Sequence, residues 1–219
     1  MPSADTEKPA RDPVNDRLLQ TAMEQFGQKG LDGASTRDIA RQAGTVMSSI
    51  TYHFGGKSGL YLAVAEYAAT QVLDRFGGAF DQGAPDDLSP DDAVAAVCAA
   101  AHRVLGFMLH PDGAPLARFI VREQMAATEA FDVIRAVLIG PVSAHLGALV
   151  AQAGQGRWSD EEVQLKTLTI FGQLLVFRVA HATVLAVTGW DDITPDRAAR
   201  IERVVDANIR AILEQGAAS

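Results

Sequence analysis

Two stretches of the chain carry groups able to do chemistry. In the first, Thr36-Arg37 stands at the start of a short amphipathic segment and offers a hydroxyl, a cation and free backbone N–H groups, a set suited to phosphate oxygens. Val46, Met47, Ser48, Ser49 and Thr51 follow at positions that face away from Ile50 and Phe54, and Tyr52, His53 and Lys57 close the stretch. In the second, Arg118, Arg122, Glu123 and Gln124 interrupt a run otherwise built of Phe119, Ile120, Val121 and Met125. A helix that apolar tolerates charge when the charge is paired or functional. Elsewhere there is no Gly-rich phosphate loop, no His-Glu helix motif and no Cys-His ligand spacing, so no enzyme, no metal site and no cofactor is expected. The single cysteine, Cys98, has no intrachain disulfide partner, and its alanine-rich surroundings mark it as a core residue.

The first stretch needs three helices to position it. Leu18, Leu19, Ala22, Met23 and Phe26 recur at helical spacing, with Asn15 or Asp16 as cap and Gly30 as stop. Ser35 or Thr36 caps a second helix, Thr36 to Ala43, that Gly44 ends; a third runs from about Val46 to Phe54. Two short helices joined by a tight turn and braced by a longer one are what a helix-turn-helix requires. A fourth helix, about Lys57 to Phe76, carries Leu60, Val64, Tyr67 and Ala68 at helical intervals.

The chain has 219 residues, 48% of them hydrophobic and 21% charged, enough for a substantial core. No apolar run approaches the roughly 20 residues of a membrane span. The opening dozen residues are polar and proline-containing, unlike a signal peptide, so the cytoplasm is the expected location. The net charge of -8 argues at first against nucleic acid, but residues 1–57 hold seven basic and seven acidic side chains, so all the excess lies in residues 58–219. An acidic body would orient a neutral head toward DNA.

The run Thr36-Arg37-Asp38-Ile39-Ala40, Ala43-Gly44, Ile50-Thr51-Tyr52-His53-Phe54, Lys57 and Leu60 resembles the DNA-binding domain of the TetR family of bacterial regulators over residues 14–64. The resemblance implies that the third helix lies in the major groove and presents Val46, Met47, Ser48, Ser49 and Thr51 to base edges. It also places Tyr52 and His53 at a phosphate or groove contact and Lys57 beside the DNA backbone. Where the family often has Lys-Gly-Thr-Leu-Tyr, this chain has Met47-Ser48-Ser49-Ile50-Thr51. None of these residues makes a bidentate base contact, so readout leans on hydroxyls, methyl contacts and DNA shape. Outside this spacing Tyr52 and His53 would be ordinary core or surface residues, and Arg17 and Arg41 admit either a phosphate or a merely solvated role.

A second resemblance covers Ala117-Arg118-Phe119-Ile120-Val121-Arg122-Glu123-Gln124, Thr128-Glu129-Ala130-Phe131 and Pro141, together with Ile50 to Lys57 and Gly59-Leu60-Tyr61. These stretches are similar to the CecR (YbiH)-like subgroup, which implies control of transporter or drug-sensitivity genes. An all-α protein follows, with a flexible arm over 1–13, a helix-turn-helix domain over 14–57, a connecting helix over 58–80 and a ligand-binding and dimerisation domain over 81–219.

In that last part helices are expected near Pro90 to His110, Pro115 to Met125, Glu129 to Gln155, Asp160 to Val187 and Thr194 to Glu214, after a linker formed by Gly77, Gly78 and Gln82 to Pro90. A sensing pocket would be apolar with a few convergent polar groups. Phe107, Phe119, Arg122, Glu123, Phe131, Gln173, Phe177 and His181 are its candidates, with Arg118 or Arg122 facing an acidic ligand group. The competing readings are an Arg122–Glu123 ion pair, a satisfied core or interface histidine at 181, and phenylalanines that only fill the core. Leu168, Phe171, Leu175, Val179 and Ala182 form one apolar stripe, and Ile201, Val204, Val205, Ile209 and Ile212 another. In the family such helices pair across a four-helix homodimer interface; the plainer alternative is internal core.

The expected function is thus a transcriptional repressor that binds a pseudo-palindromic operator in double-stranded DNA as a dimer, has no membrane partner, and is released by a small molecule. A helical protein-binding adaptor is the other class, and salt-sensitive DNA binding separates the two.

Overall fold

The computed structural model describes residues 13–76, 80 and 83–214, and among them every regular element is helical. The expectation of an arm over 1–13 falls, but for Pro13, outside the described residues, as do Gly77, Gly78 and Gln82 of the expected linker. Helix α1 (Pro13–Gly33) is already formed at its first residue, ahead of Asn15 and Asp16, so neither is its cap. It is interrupted at Gly30, whose φ of 74° is open to glycine at little cost. Helix α2 (Thr36–Ala43) is capped by the Ser35 side chain, which accepts from the Asp38 N–H, and is ended by Gly44 with φ 71°. Helix α3 (Met47–Phe54) and helix α4 (Lys57–Arg75) follow. Leu18, Ala22 and Phe26 of α1, Ile39, Ala40 and Ala43 of α2, Ile50 of α3 and Leu60 and Val64 of α4 bury together, so one small core fixes the angle of α3.

The rest of the chain forms α5 (Pro90–Leu109), a 3-10 turn (Pro111–Gly113), α6 (Ala114–Met125), α7 (Glu129–Ile134), α8 (Gly140–Gly154), α9 (Asp160–Val179), α10 (His181–Thr188) and α11 (Pro195–Glu214). The segment ahead of α5 is tied down: Gln152 of α8 accepts from the Leu88 N–H at 2.9 Å and donates to the Pro85 carbonyl at 2.8 Å. Phe80 packs edge-on against Phe76 and His145.

The helix expected over Glu129 to Gln155 runs unbroken over Glu129–Gly154, with α7 and α8 joined through a π turn, Arg135–Ile139, in which the Gly140 N–H reaches back to the Arg135 carbonyl; two other expectations are corrected. Pro141 has no N–H for the ordinary bond to Val137 and would crowd that carbonyl, so the wider register relieves it. The helix expected over Asp160 to Val187 bends by 82° at Ala180 and continues as α10. Finally, α5 and the run Glu129–Gly154 are long and apolar enough to cross a membrane by length and composition, with mean hydropathies of 1.5 and 1.8, contrary to the expectation that no such run exists. Much of that apolar surface is turned into the bundle, where Val97, Ala101, Val104, Leu105, Leu146, Leu149 and Val150 are buried.

The two apolar stripes are divided between the inside and the surface. Phe171 and Leu175 are half-buried along a cavity and Ile201, Val205 and Ile209 are buried within their own chain, whereas Leu168, Val179, Ala182 and Val204 stay exposed. Leu168 and Val179 join Leu165, Gly172 and Val176 in an exposed row on α9, beside which Val204, Ala207 and Ala211 of α11 are exposed too.

Candidate nucleic-acid interface and cavity

The α2–turn–α3 unit leaves a row of side chains in solvent. Val46, Met47, Ser48, Thr51, Tyr52 and His53 are all exposed, with Tyr52 84% accessible, while Ile50 and Phe54 turn inward. Tyr52 and His53 stack edge to face at 4.9 Å, which presents a phenol and an imidazole side by side. Arg37 is exposed and Thr36 half-buried at the start of α2. Its unpaired N–H groups and the helix dipole make that end a natural seat for a phosphate.

Two of the expected contact residues are occupied elsewhere. Lys57 is half-buried and donates from Nζ to the Asp32 carbonyl at 3.0 Å, so in this state it ties α4 to the end of α1. Ser49 is half-buried and accepts from the Thr45 hydroxyl at 3.2 Å. Arg41 pairs with Asp38 at 2.9 Å, and Arg17 reaches the Gln42 carbonyl at the C-terminal end of α2.

Gly59, which entered the sequence reading only as part of a resemblance, has a packing role that reading did not give it. A Cβ there would lie 1.7 Å from the Phe54 carbonyl oxygen, so α4 can cross the end of α3 this closely only with glycine. The signal was present in the run Gly55-Gly56-Lys57-Ser58-Gly59, but sequence spacing does not say which backbone would be met.

The α6 helix is the other centre of polar chemistry. Glu123, 1% accessible, accepts from the Tyr61 hydroxyl of α4 at 2.5 Å and from the Thr128 N–H and hydroxyl at 3.1 and 2.8 Å. Burial, followed by the bond to Glu123 and its charge, pushes the Tyr61 phenol above its ordinary pKa and keeps it a donor. Arg122 donates to the Gly27 and Gln28 carbonyls at 3.4 and 3.2 Å, closing the C-terminal end of α1 just before the Gly30 break. The expected Arg122–Glu123 ion pair is not formed; each residue grips a different helix of the DNA-binding unit. Phe119 packs against Tyr61 at 5.2 Å in the same junction.

Behind α6 lies a cavity of about 240 Å³. Its wall is formed by Val72 and Phe76 next to α5 residues Val104, Phe107 and Met108, by Ala117, Ile120, Val121 and Gln124 of α6, by Leu138 and Ile139 of the π turn, and by Val142, Ser143 and Leu146 of α8. The α9 side supplies Thr167, Leu168, Phe171, Gly172, Leu175, Arg178 and Val179. Of the eight expected ligand residues only Phe107 lines it. Arg122, Glu123 and Phe119 belong to the α1–α4–α6 junction, and Phe131 is half-buried on α7 outside the wall. Gln173 faces α11 and accepts from Asn208 at 3.3 Å; Phe177 packs into the core; His181 lies past the bend. Arg178 was not anticipated, because its neighbours Phe177 and Val179 gave no hint which of them turned inward. Cys98 is buried, and burial foremost, with Asp206 nearby, pushes its thiol up to about 11, as befits an inert core residue. Among the described residues no group of three or more potential metal ligands converges.

An all-helical chain with a buried three-helix core, a glycine-turned second helix and an exposed third helix is a helix-turn-helix protein. Residues 18–64 match the family described as bacterial regulatory proteins of the tetR family, and residues 93–216 match the C-terminal domain of the HTH-type transcriptional dual regulator CecR. Over 205 residues, 90% of each chain, the sequence is 31% identical to the HTH-type transcriptional dual regulator CecR of Shigella flexneri. The chain belongs to the TetR family of transcriptional regulators, in the CecR group. Its relatives are regulators and not enzymes. The fold is shared with a TetR-family regulator from Mesorhizobium loti (TM-score 0.62, 20% identity, 93% of this chain and 98% of that one) and with a transcriptional regulator from Rhodococcus sp. Rha1 (0.64, 17%, 93% and 97%).

Proposed function

We propose that this regulator is a ligand-responsive repressor that binds a pseudo-palindromic operator as a homodimer and is released when a small molecule fills the cavity. The observation that carries the proposal is the double role of α6. One face of the helix, Ala117, Ile120, Val121 and Gln124, is cavity wall; the other holds α1 through Arg122 and α4 through Glu123 and Tyr61. A molecule that displaces α6 acts on both helices that carry α3. In a dimer this changes the separation of two recognition helices that must fit half-sites about 34–36 Å apart.

The division of labour is that of residues 14–57 as DNA-binding domain, 58–80 as connecting helix and 81–219 as sensing and dimerisation domain, working in the cytoplasm. Thr36 and Arg37 take phosphate, Val46, Met47, Ser48 and Thr51 face the groove, and Tyr52 and His53 border it. Lys57 joins them only if it releases the Asp32 carbonyl. The exposed apolar row on α9 and its neighbours on α11 support the second copy, since a face of this kind is uncommon on a free monomer. Regulation of transporter or drug-sensitivity genes is the role proposed with it.

Fluorescence anisotropy against DNA upstream of the chain's own gene, and otherwise against sequences selected from random DNA, tests this reading across a salt series. Tight, sequence-selective binding that weakens with salt is expected, and Arg37→Ala with Tyr52→Ala should lower both the affinity and the steepness of the salt dependence. Unchanged affinity in the folded double variant would exclude the proposed contacts, and failure to select any sequence would exclude the DNA-binding role.

A further inference from the structure

We infer that the molecule the cavity accepts is an amphipathic anion, an apolar body bearing one carboxylate or similar oxyanion, and that Arg178 is its charge partner. The inference deepens the sensor reading of the cavity and rests on it. Among the described residues that line it Arg178 is the one charged side chain, set in a wall that is mostly aliphatic and aromatic. Its guanidinium gives one bond, from Nη2 to the His110 carbonyl at 2.5 Å, while Nε is buried without a partner. No carboxylate pairs with it among the described residues.

A guanidinium has five N–H donors and stays charged even when desolvated, so a half-used one in an apolar wall is unfavourable until an acceptor arrives. An oxyanion is the acceptor that fits, because its oxygens can take the guanidinium N–H groups that the single bond to His110 leaves over. A neutral ligand leaves the charge uncompensated and a cation is repelled. The hydroxyl on that side, Thr167, already donates to the Val163 carbonyl at 2.7 Å, so Arg178 is the α9 side chain in the wall with donors to spare. The site also connects to the junction: His110 ends α5, and the turn Pro111–Gly113 leads directly into α6. An oxyanion that competes with the His110 carbonyl for Arg178 therefore acts on the segment that carries α6.

The test is isothermal titration of the full chain with decanoate, decanol and decylamine, three probes that share a body and differ in the head. Decanoate should bind once per chain, at least tenfold more tightly than decanol, with decylamine excluded. Arg178→Leu should bring decanoate down to the level of decanol and leave decanol unchanged, Arg178→Lys should restore part of the preference, and Leu146→Trp, which fills the cavity, should abolish both. Absence of an anion preference in the wild-type chain, including no binding of any probe, overturns the inference without a mutant. So does undiminished decanoate binding by Arg178→Leu. Operator binding followed in parallel separates the two readings. Decanoate that binds through Arg178 without releasing DNA sinks ligand-induced release and keeps the anion site, whereas a DNA-binding chain indifferent to the head group sinks the anion site alone.

Discussion

Arg122 and Glu123 show that charge in an apolar helix can be satisfied by protein groups alone. Charge in the middle of an apolar helix does mark something specific, but here the satisfaction comes from protein groups: carbonyls of α1 for Arg122, and Tyr61 and Thr128 for Glu123. All the donors a buried carboxylate needs are already in place, so a ligand has nothing to add there. Glu123→Ala would strand the Tyr61 hydroxyl and release the start of α7. Chemical denaturation should show a loss of about 2–4 kcal/mol, while the residual folded protein keeps its cavity affinity. Undiminished stability would mean that the Tyr61–Glu123 bond does not hold the two helices together. Arg178 is the converse case: in the sequence it is one arginine among hydrophobic residues, and only its place in the cavity wall gives it a part.

Among the elements, the short helices were legible because local chemistry specifies them. Ser35 as cap and Gly44 as stop are written beside the residues they serve, and the periodicity of Ile39, Ala40 and Ala43 names the buried face. The break at Ala180 has no such local signature. Neither proline nor glycine stands there, and nothing in the residues around it accounts for the turn. The close crossing of α3 and α4 lies between these cases, since the glycine is visible but its contact is not. Gly59→Ala should keep the helical content measured by circular dichroism yet lower operator affinity at least tenfold, because the added Cβ forces α3 or α4 off its seat. Wild-type affinity in that variant would mean the junction yields without moving α3.

At the scale of the whole molecule, the surface left uncovered is the apolar row of Leu165, Leu168, Val176 and Val179 on α9 with Val204 on α11. The row shares Leu168 and Val179 with the α9 stripe inferred from sequence, and Val204 with the α11 stripe, while Phe171 and Leu175 of the former turn to the cavity. If two copies meet there, Val176→Asp combined with Val204→Asp places charges in a dry contact and should give a monomer by sedimentation, with operator binding lost. A dimer that survives both substitutions would place the subunit contact on another face.

Alone, the amino-acid sequence determined the helical class, the order of the elements, the helix-turn-helix and the family, because periodicity, caps and motif spacing are local and need no knowledge of what packs against what. Which polar residues face a cavity, which grip a neighbouring helix and which apolar face stays uncovered was decided only by tertiary structure. Those properties depend on contacts between residues far apart in the chain, such as Tyr61 with Glu123 and Arg178 with His110, and no spacing along a single helix encodes its partner.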